Sequence, residues 1–203
     1  YRYRSGFPAM RKAIASGRLG ELTGGLIQFF RWRPTQGMPL PLLLNQAVHH
    51  LDVMRYLMGE TPVSVSAALW DPGWNGADGP TCAEATFCFA GGARIHYSGS
   101  YVAKGRQTGF NGLWRLEGSG GQLILDEHER VIFCAGETSE TLFVREQGEP
   151  RPEVCLCRDF LASVREGKDA PTSGDDNLRT LAMLFATERS AREGRVVHLS
   201  ELL

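Results

Sequence analysis

The chain has 203 residues, of which 42% are hydrophobic and 22% are charged, a composition typical of a globular domain. Its 22 Lys and Arg against 23 Asp and Glu give a formal net charge of −1. No basic excess therefore favours nucleic acid or anionic lipid as a partner. No apolar run approaches the roughly 20 residues that a membrane helix needs.

We expect one domain over residues 1–203, in a cytoplasmic protein. The five scattered cysteines are typical of reduced thiols rather than of a disulfide framework. Because the chain does not begin with Met and has no signal-like segment, we expect it to be part of a longer protein.

The first part of the chain alternates between helix and strand signals. The periodicity predicts a helix over 5–17, a strand over 21–32, a proline-rich loop over 33–41 and a helix over 42–58, which ends at Gly59.

The middle of the chain is predicted to consist of short strands. Runs 83–90 and 93–102 flank Gly91 and Gly92, a strong hairpin signal. The other predicted strands are 63–67, 113–117, 122–125, 131–134 and 142–145, and 70–80 is predicted as a loop.

Two helices are predicted at the end of the chain. The first carries Leu156, Phe160, Leu161 and Val164 on one face and closes at Gly167. The second opens at a capping-box pattern over 173–176, and its predicted apolar stripe is Leu178, Leu181, Ala182 and Phe185. This order of elements favours an α+β fold with helices on one face of a sheet.

The helix over 42–58 carries the most informative polar pattern. At about 100° per residue, Asn45, His49, Asp52 and Tyr56 fall on one stripe of a helix that is otherwise mostly apolar. A polar stripe on a buried helix faces either an internal hydrogen-bond network or a cleft. The pattern leaves both open: a structural network, or a histidine placed for proton transfer at a substrate pocket.

Metal and nucleotide sites are not expected in this chain. His49 and His50 point about 100° apart on a helix and cannot share an ion. Residues 118–121 are rich in glycine, but a strand-like run follows them, whereas a dinucleotide-binding turn is followed by a helix. We therefore predict a hairpin there.

Trp32 and Arg33 form one of several pairs of an aromatic and a polar residue near strand ends. An aromatic face beside hydrogen-bond donors suits a sugar ring, and ordinary sheet packing is the alternative. We take both residues as candidate substrate contacts.

Three segments together resemble the C-terminal domain of the glucose-fructose oxidoreductase and inositol dehydrogenase family (Gfo/Idh/MocA). They are the helix and glycine exit over 3–21, the helix over 45–59 that contains Asn45-Gln-Ala-Val-His-His-Leu-Asp52, and the closing segment over 170–197. The matches run through nearly the whole chain in the family's order.

The resemblance implies an open, mostly antiparallel sheet with helices on one face, the other face forming a homo-oligomer interface. It also implies a missing N-terminal Rossmann domain, which binds NAD or NADP and supplies a catalytic lysine. The implied substrates are sugars, cyclic polyols and their derivatives. His49 falls on the family's catalytic histidine, and Asp52 falls on a later aspartate of the same helix.

Two positions depart from the family pattern. Asn45 stands where the family has an aspartate, so we expect His49 to be a weaker base than with a carboxylate nearby. Residues 38–44 are rich in proline and leucine where the family has glycines, which predicts a reshaped pocket.

The expected function is that of the C-terminal half of an NAD(P)-dependent oxidoreductase, inactive without its Rossmann domain. His49 would be the general acid and base, Asn45 would orient it or the substrate, and Asp52 would anchor the helix or line the substrate site with Trp32 and Arg33. The alternatives are a non-catalytic carbohydrate-binding or dimerisation module and a family member that has lost turnover.

Overall fold

The computed structural model describes residues 1–4, 6–34, 41–74 and 76–203. The helices in this part of the chain are α1 Gly6–Ala15, α2 Val48–Met58 with a π-helical turn Leu43–Ala47 directly before it, α3 Pro152–Glu166, and α4 Gly174–Glu193. The strands are β1 Leu22–Phe30, β2 Ser64–Trp70, β3 Cys82–Cys88, β4 Arg94–Ser100, β5 Leu113–Gly118, β6 Gly121–Leu125, β7 Val131–Ala135, β8 Thr138–Phe143 and β9 Val197–His198.

All these strands belong to one sheet in the order β8-β7-β6-β5-β1-β4-β3-β2-β9. Neighbouring strands are antiparallel, except that β1 and β4 pair in parallel. The sheet is open, since its edges are formed by the different strands β8 and β9. The predicted α+β architecture with an open, mostly antiparallel sheet is confirmed.

The two faces of the sheet differ because side chains alternate along each strand. Ile27 and Ile95 point to the helix side and are fully buried, whereas their neighbours Arg94 and His96 are exposed on the other side. We call the helix side the inner face and the other side the outer face. Side chains of α1, α2 and α4 join the inner face in one hydrophobic core.

The apolar stripe predicted for α4 is right for Ala182, which is buried, and wrong for Leu178 and Phe185. Leu178 and Phe185 are exposed, and the buried side includes Thr180, Thr187 and Ser190. Hydroxyl groups can be buried when their hydrogen bonds are satisfied: the Thr187 hydroxyl donates to the Met183 carbonyl, and Ser190 Oγ accepts from Ala67 N–H and donates to the Arg195 carbonyl.

The apolar face predicted for α3 lies at the surface. The helix ends at Gly167 as expected, but none of its residues is buried, and Phe160 and Val164 are 55% and 62% exposed. Helical periodicity therefore identified the element correctly without identifying a packing partner.

Several local predictions hold, and one strand is displaced. Gly59, with φ of 76°, ends α2, and the two glycine hairpins lie between β3 and β4 and between β5 and β6. The strand predicted over 142–145 is wrong, because β8 begins at Thr138 and ends at Phe143. Its first residues are polar and exposed, as a sheet edge permits, so hydrophobicity did not reveal them.

Some predictions lie partly outside the described residues. This applies to residue 5 of the first predicted helix, to most of the 33–41 loop, to residues 38–40 of the 38–44 departure, and to residue 75 of the loop over 70–80. The cysteines at 82, 88, 134, 155 and 157 are all free thiols, as predicted.

We predict that Gly118→Ala destabilises the protein by about 2 kcal/mol, within the usual range for overpacking. An added Cβ would overlap the Leu19 carbonyl oxygen and lie 3.2 Å from that of Glu21, both of them backbone atoms. Urea unfolding of the two proteins measures the change. Gly91→Ala is the control, because a Cβ there meets nothing within 4 Å. Equal stability of the two variants would contradict the predicted close approach at Gly118.

Candidate functional site

An ion network joins the start of the chain to α2 and α4. Arg2 donates from Nε to Asp52 Oδ2 at 2.9 Å and from Nη2 to Asp52 Oδ1 at 2.6 Å, and it also pairs with Asp176. Arg55 donates to Asp176 Oδ1 at 2.9 Å and to Thr180 Oγ1 at 2.9 Å. We call Arg2, Asp52, Arg55 and Asp176 the arginine–aspartate tether.

The charged side chains of the tether lie in a partly buried environment. Burial alone would raise the pKa of the Asp176 carboxyl group. Hydrogen bonds and ion pairs from Arg55 and Arg2 outweigh this effect, so the pKa is lowered. Asp52 uses both carboxylate oxygens, accepting from Arg2 and, at 3.3 Å, from Thr180. These contacts support the predicted anchoring role, whereas the substrate contact assigned to Asp52 stays a prediction.

The tether places Tyr1 against His49. The two rings are stacked at 4.4 Å between centroids, with 8° between their planes. His49 is otherwise exposed and borders a cleft of ≈ 390 Å³ that Asp52, Ser173 and Asn177 also line. The histidine of the predicted stripe therefore does face a cleft.

The surroundings of His49 favour its neutral form. Partial desolvation lowers the pKa of His49 from 6.5 against the opposing charge of Asp52. A neutral imidazole carries one free acceptor nitrogen. At pH 7 this ring can therefore take up a proton from a nearby hydroxyl group.

A buried polar chain lies behind the stacked pair. Gln46 Nε2 donates to the Tyr1 hydroxyl at 2.7 Å and lies 3.3 Å from His50 Nε2, while His50 Nδ1 lies 3.3 Å from the Tyr97 hydroxyl. His50 is fully buried, and burial, followed by the charge of His49, lowers its pKa to about 3. His50 is therefore a neutral core residue. Within the predicted stripe, Asp52 belongs to a hydrogen-bond network and His49 borders a cleft, so both interpretations of the stripe apply.

Asn45 lies in the π-helical turn, where the Val48 N–H donates to the Leu43 carbonyl five residues back. Such turns are wider than the 3.6-residue turn assumed for the stripe and occur often at functional sites. Within the described residues, the partly exposed Asn45 side chain makes no hydrogen bond, including to His49. Its orienting role stays a prediction.

Trp32 and Arg33 have different surroundings. Arg33 lies over the rings of Tyr101, at 5.3 Å, and of Phe110, at 5.9 Å. Because Tyr1 also packs on Phe110, at 6.0 Å, Arg33 belongs to the surroundings of His49. Trp32 instead carries Lys104 over its ring at 4.7 Å. Its role as a substrate contact stays a prediction.

Sequence reasoning missed four residues around this site: Tyr1, Arg4, Tyr101 and Phe110. Arg4 lies over Phe110 at 4.6 Å and over Tyr1 at 5.2 Å. Phe110 stands in a connection outside the regular elements, where no periodicity marks it. The pairing of Gln46 with His50, four residues apart in an apolar helix, did leave a sequence signal.

Other classes of site have no support in the described part of the chain. Its residues contain no group of three or more His, Cys, Asp or Glu arranged to hold a metal. Residues 118–121 turn between β5 and β6, so they are not a phosphate-binding turn before a helix. Within the same residues, no helix is both long and apolar enough to cross a bilayer.

Comparison with known proteins identifies the class of this fold. The family model of the GFO/IDH/MocA C-terminal domain matches residues 7–124, which is more than half of the chain. The chain therefore belongs to the GFO/IDH/MocA C-terminal domain family, and the resemblance found in the sequence is confirmed.

Individual relatives match nearly the whole chain. It is 26% identical to D-apiose dehydrogenase of Paraburkholderia graminis, covering 100% of the chain and 58% of that protein. It is 26% identical to inositol 2-dehydrogenase of Rhizobium meliloti, covering 98% and 63%. The crystal structure of an Agrobacterium radiobacter oxidoreductase in complex with NAD+, L-tartaric acid and magnesium superposes with a TM-score of 0.89 at 20% identity, covering 100% of this chain and 64% of that one. The chain thus spans about 60% of the length of these relatives.

We predict that Asp176→Asn lowers the free energy of unfolding by about 2 kcal/mol at pH 7, because it leaves Arg55, 6% exposed, with a weakened partner. Asp175→Asn is the control, since it removes the same charge from the same helix turn at an exposed residue. Urea unfolding of both variants measures the difference.

The effect of Asp176→Asn should depend on pH. A carboxyl group whose pKa is lower in the folded protein stabilises it above the unfolded pKa, near 3.8, and this contribution is lost as the pH falls through the folded pKa. The difference between wild type and Asp176→Asn should therefore shrink below about pH 4. A constant difference down to pH 2 would contradict the assigned ion pairs.

Proposed function

We propose that this chain is the substrate-binding part of an NAD(P)-dependent oxidoreductase that acts on a hydroxyl group of a sugar or polyol. The observation that carries the proposal is His49, neutral and accessible at a cleft, within a chain of the GFO/IDH/MocA C-terminal domain family. The names of two relatives, an apiose dehydrogenase and an inositol dehydrogenase, support the substrate class.

In this proposal, His49 moves the proton. Its free ring nitrogen accepts the proton of the substrate hydroxyl group while the carbon is oxidised, and returns it in the reverse direction. The nicotinamide, when bound, supplies the hydride acceptor. Since the described residues hold no dinucleotide-binding turn, the rest of a longer protein would bind NAD or NADP.

The neighbouring residues would position the reactants. Asn45, one helical turn before His49, has a side-chain amide with no hydrogen-bond partner among the described residues and would hydrogen-bond the substrate. Asp52 would keep α2 in place through Arg2. Tyr1 covers one face of the His49 ring and would limit its rotation. The rival proposal is a carbohydrate-binding module without turnover, which keeps these contacts and lacks the proton transfer.

We predict that His49→Ala in the full-length protein lowers kcat/KM for sugar or polyol oxidation by about 10²- to 10⁴-fold, the usual contribution of a general acid or base. The measurement is NAD(P)+ reduction at saturating cofactor. His128→Ala is the control, because it removes an exposed histidine from the turn between β6 and β7. A change below about threefold in His49→Ala would remove His49 from the reaction. Substrate binding without turnover in the wild type would favour the rival proposal.

We also propose that the protein is a cytoplasmic homo-oligomer without a nucleic-acid partner. The balanced charge and the free cysteines support the location and the absence of such a partner. The outer face supports assembly, because it carries partly exposed apolar side chains such as Leu26, Ile124 and Ile132 among polar ones.

We predict that the protein sediments as a dimer or larger and that Leu26→Arg shifts it towards monomer. Leu26 is paired with His96 and Arg115 on the neighbouring strands, so a new arginine adds positive charge at the middle of the outer face. Val144→Arg, at an exposed apolar residue just after β8, is the control. A monomeric wild type in sedimentation velocity would refute assembly through this face.

A further inference from the structure

Two arginines share one exposed aromatic ring beside the candidate site. The Arg4 and Arg33 guanidinium groups lie 4.6 Å and 5.9 Å from the Phe110 centroid. Phe110 is 39% exposed, so this cationic cluster is reachable from solvent. Tyr1 connects it to His49, since its ring packs 4.4 Å from His49 and 6.0 Å from Phe110.

Among the residues that the structure describes, neither guanidinium group has an anionic partner. In the described part of the chain, neither Arg4 nor Arg33 forms an ion pair or a side-chain hydrogen bond, whereas the nearby Arg2 and Arg55 are fully engaged in the tether. Two such groups close to one ring repel each other unless an anion offsets their charge.

Buried polar atoms in the same cluster are also unsatisfied. Arg4 Nε and the Tyr101 hydroxyl have almost no exposed surface and no hydrogen-bond partner among the described residues. Arg33 lies over the Tyr101 ring, so both atoms belong to this cluster. A buried donor without a partner costs free energy, and a bound oxyanion is the group that two guanidinium forks recognise best.

We propose that Arg4 and Arg33 form an oxyanion subsite and that the substrate is an anionic sugar or polyol. A carboxylate or phosphate substituent binds the two arginines, the carbon chain packs on Phe110 and Tyr1, and the reacting hydroxyl group reaches His49. The Tyr1 ring, 4.4 Å from the His49 ring and 6.0 Å from the Phe110 ring, connects the subsite to His49. This inference rests on the proposed function and adds the charge of its substrate.

A matched set of sugars tests the subsite in the full-length protein. D-glucuronate, D-glucose 6-phosphate and D-glucose differ only in the group at carbon 6, which is a carboxylate, a phosphate ester or a hydroxymethyl group. Isothermal titration gives the dissociation constant of each, and NAD(P)+ reduction gives its turnover. We expect one of the two anionic sugars to bind about 10- to 100-fold tighter than D-glucose, as charged hydrogen bonds imply, and the preferred one identifies the anion.

Single variants assign this preference to the arginines. We expect Arg33→Gln and Arg4→Gln each to reduce the ratio of anionic-sugar affinity to D-glucose affinity about tenfold or more, as loss of a charged hydrogen bond implies. Arg106→Gln is the control, since Arg106 is 87% exposed in the same connection and the substitution removes the same charge. Equal binding of all three sugars would contradict the proposed oxyanion subsite. Arginine variants that lose stability but keep the preference for an anionic sugar would contradict it as well.

The two proposals can fail separately. If an anionic sugar binds through Arg33 but no sugar reduces NAD(P)+, the subsite stands and the oxidoreductase proposal fails. If D-glucose is bound and oxidised as well as the anionic sugars, the oxidoreductase proposal stands and the subsite fails.

Discussion

The arginine–aspartate tether is the interaction on which the site depends. It joins residues far apart in sequence, since Asp176 accepts from both Arg2 and Arg55. Partly buried charges are stable only when they are paired and hydrogen-bonded, so this network fixes three segments in one arrangement. The start of the chain is thereby held on α2, which puts the Tyr1 ring on His49.

Two kinds of histidine lie side by side on α2, because adjacent residues of a helix point about 100° apart. His50 points into the core, where Gln46 and Tyr97 meet its two ring nitrogens and burial keeps it neutral. His49, the next residue, points to the cleft with one ring face covered by Tyr1. A proton acceptor is therefore presented to the cleft from a rigid helix, the arrangement that general acid–base chemistry requires.

The sequence was sufficient where local rules decide the structure. Glycine positions predicted the hairpins and the end of α2, and the polar stripe predicted that His49 faces either an internal hydrogen-bond network or a cleft. The sequence was insufficient where contacts between residues far apart in the chain determine the structure. Nothing local shows that Ser190 Oγ accepts from the Ala67 N–H inside the core while Phe185 stays exposed. Nor does any pattern place Phe110 beside Arg4, since their contact joins the start of the chain to the connection between β4 and β5.

The central claim is that the cleft at His49 is where a hydroxyl group is oxidised. A crystal structure of the full-length protein with NAD+ or NADP+ bound tests it most directly. The account predicts that the nicotinamide ring lies over the cleft bordered by His49 and Asn177, leaving room for a sugar between that ring, His49 and Arg33. A nicotinamide ring bound at the outer face of the sheet, or away from His49 with the cleft filled by other parts of the protein, would contradict it.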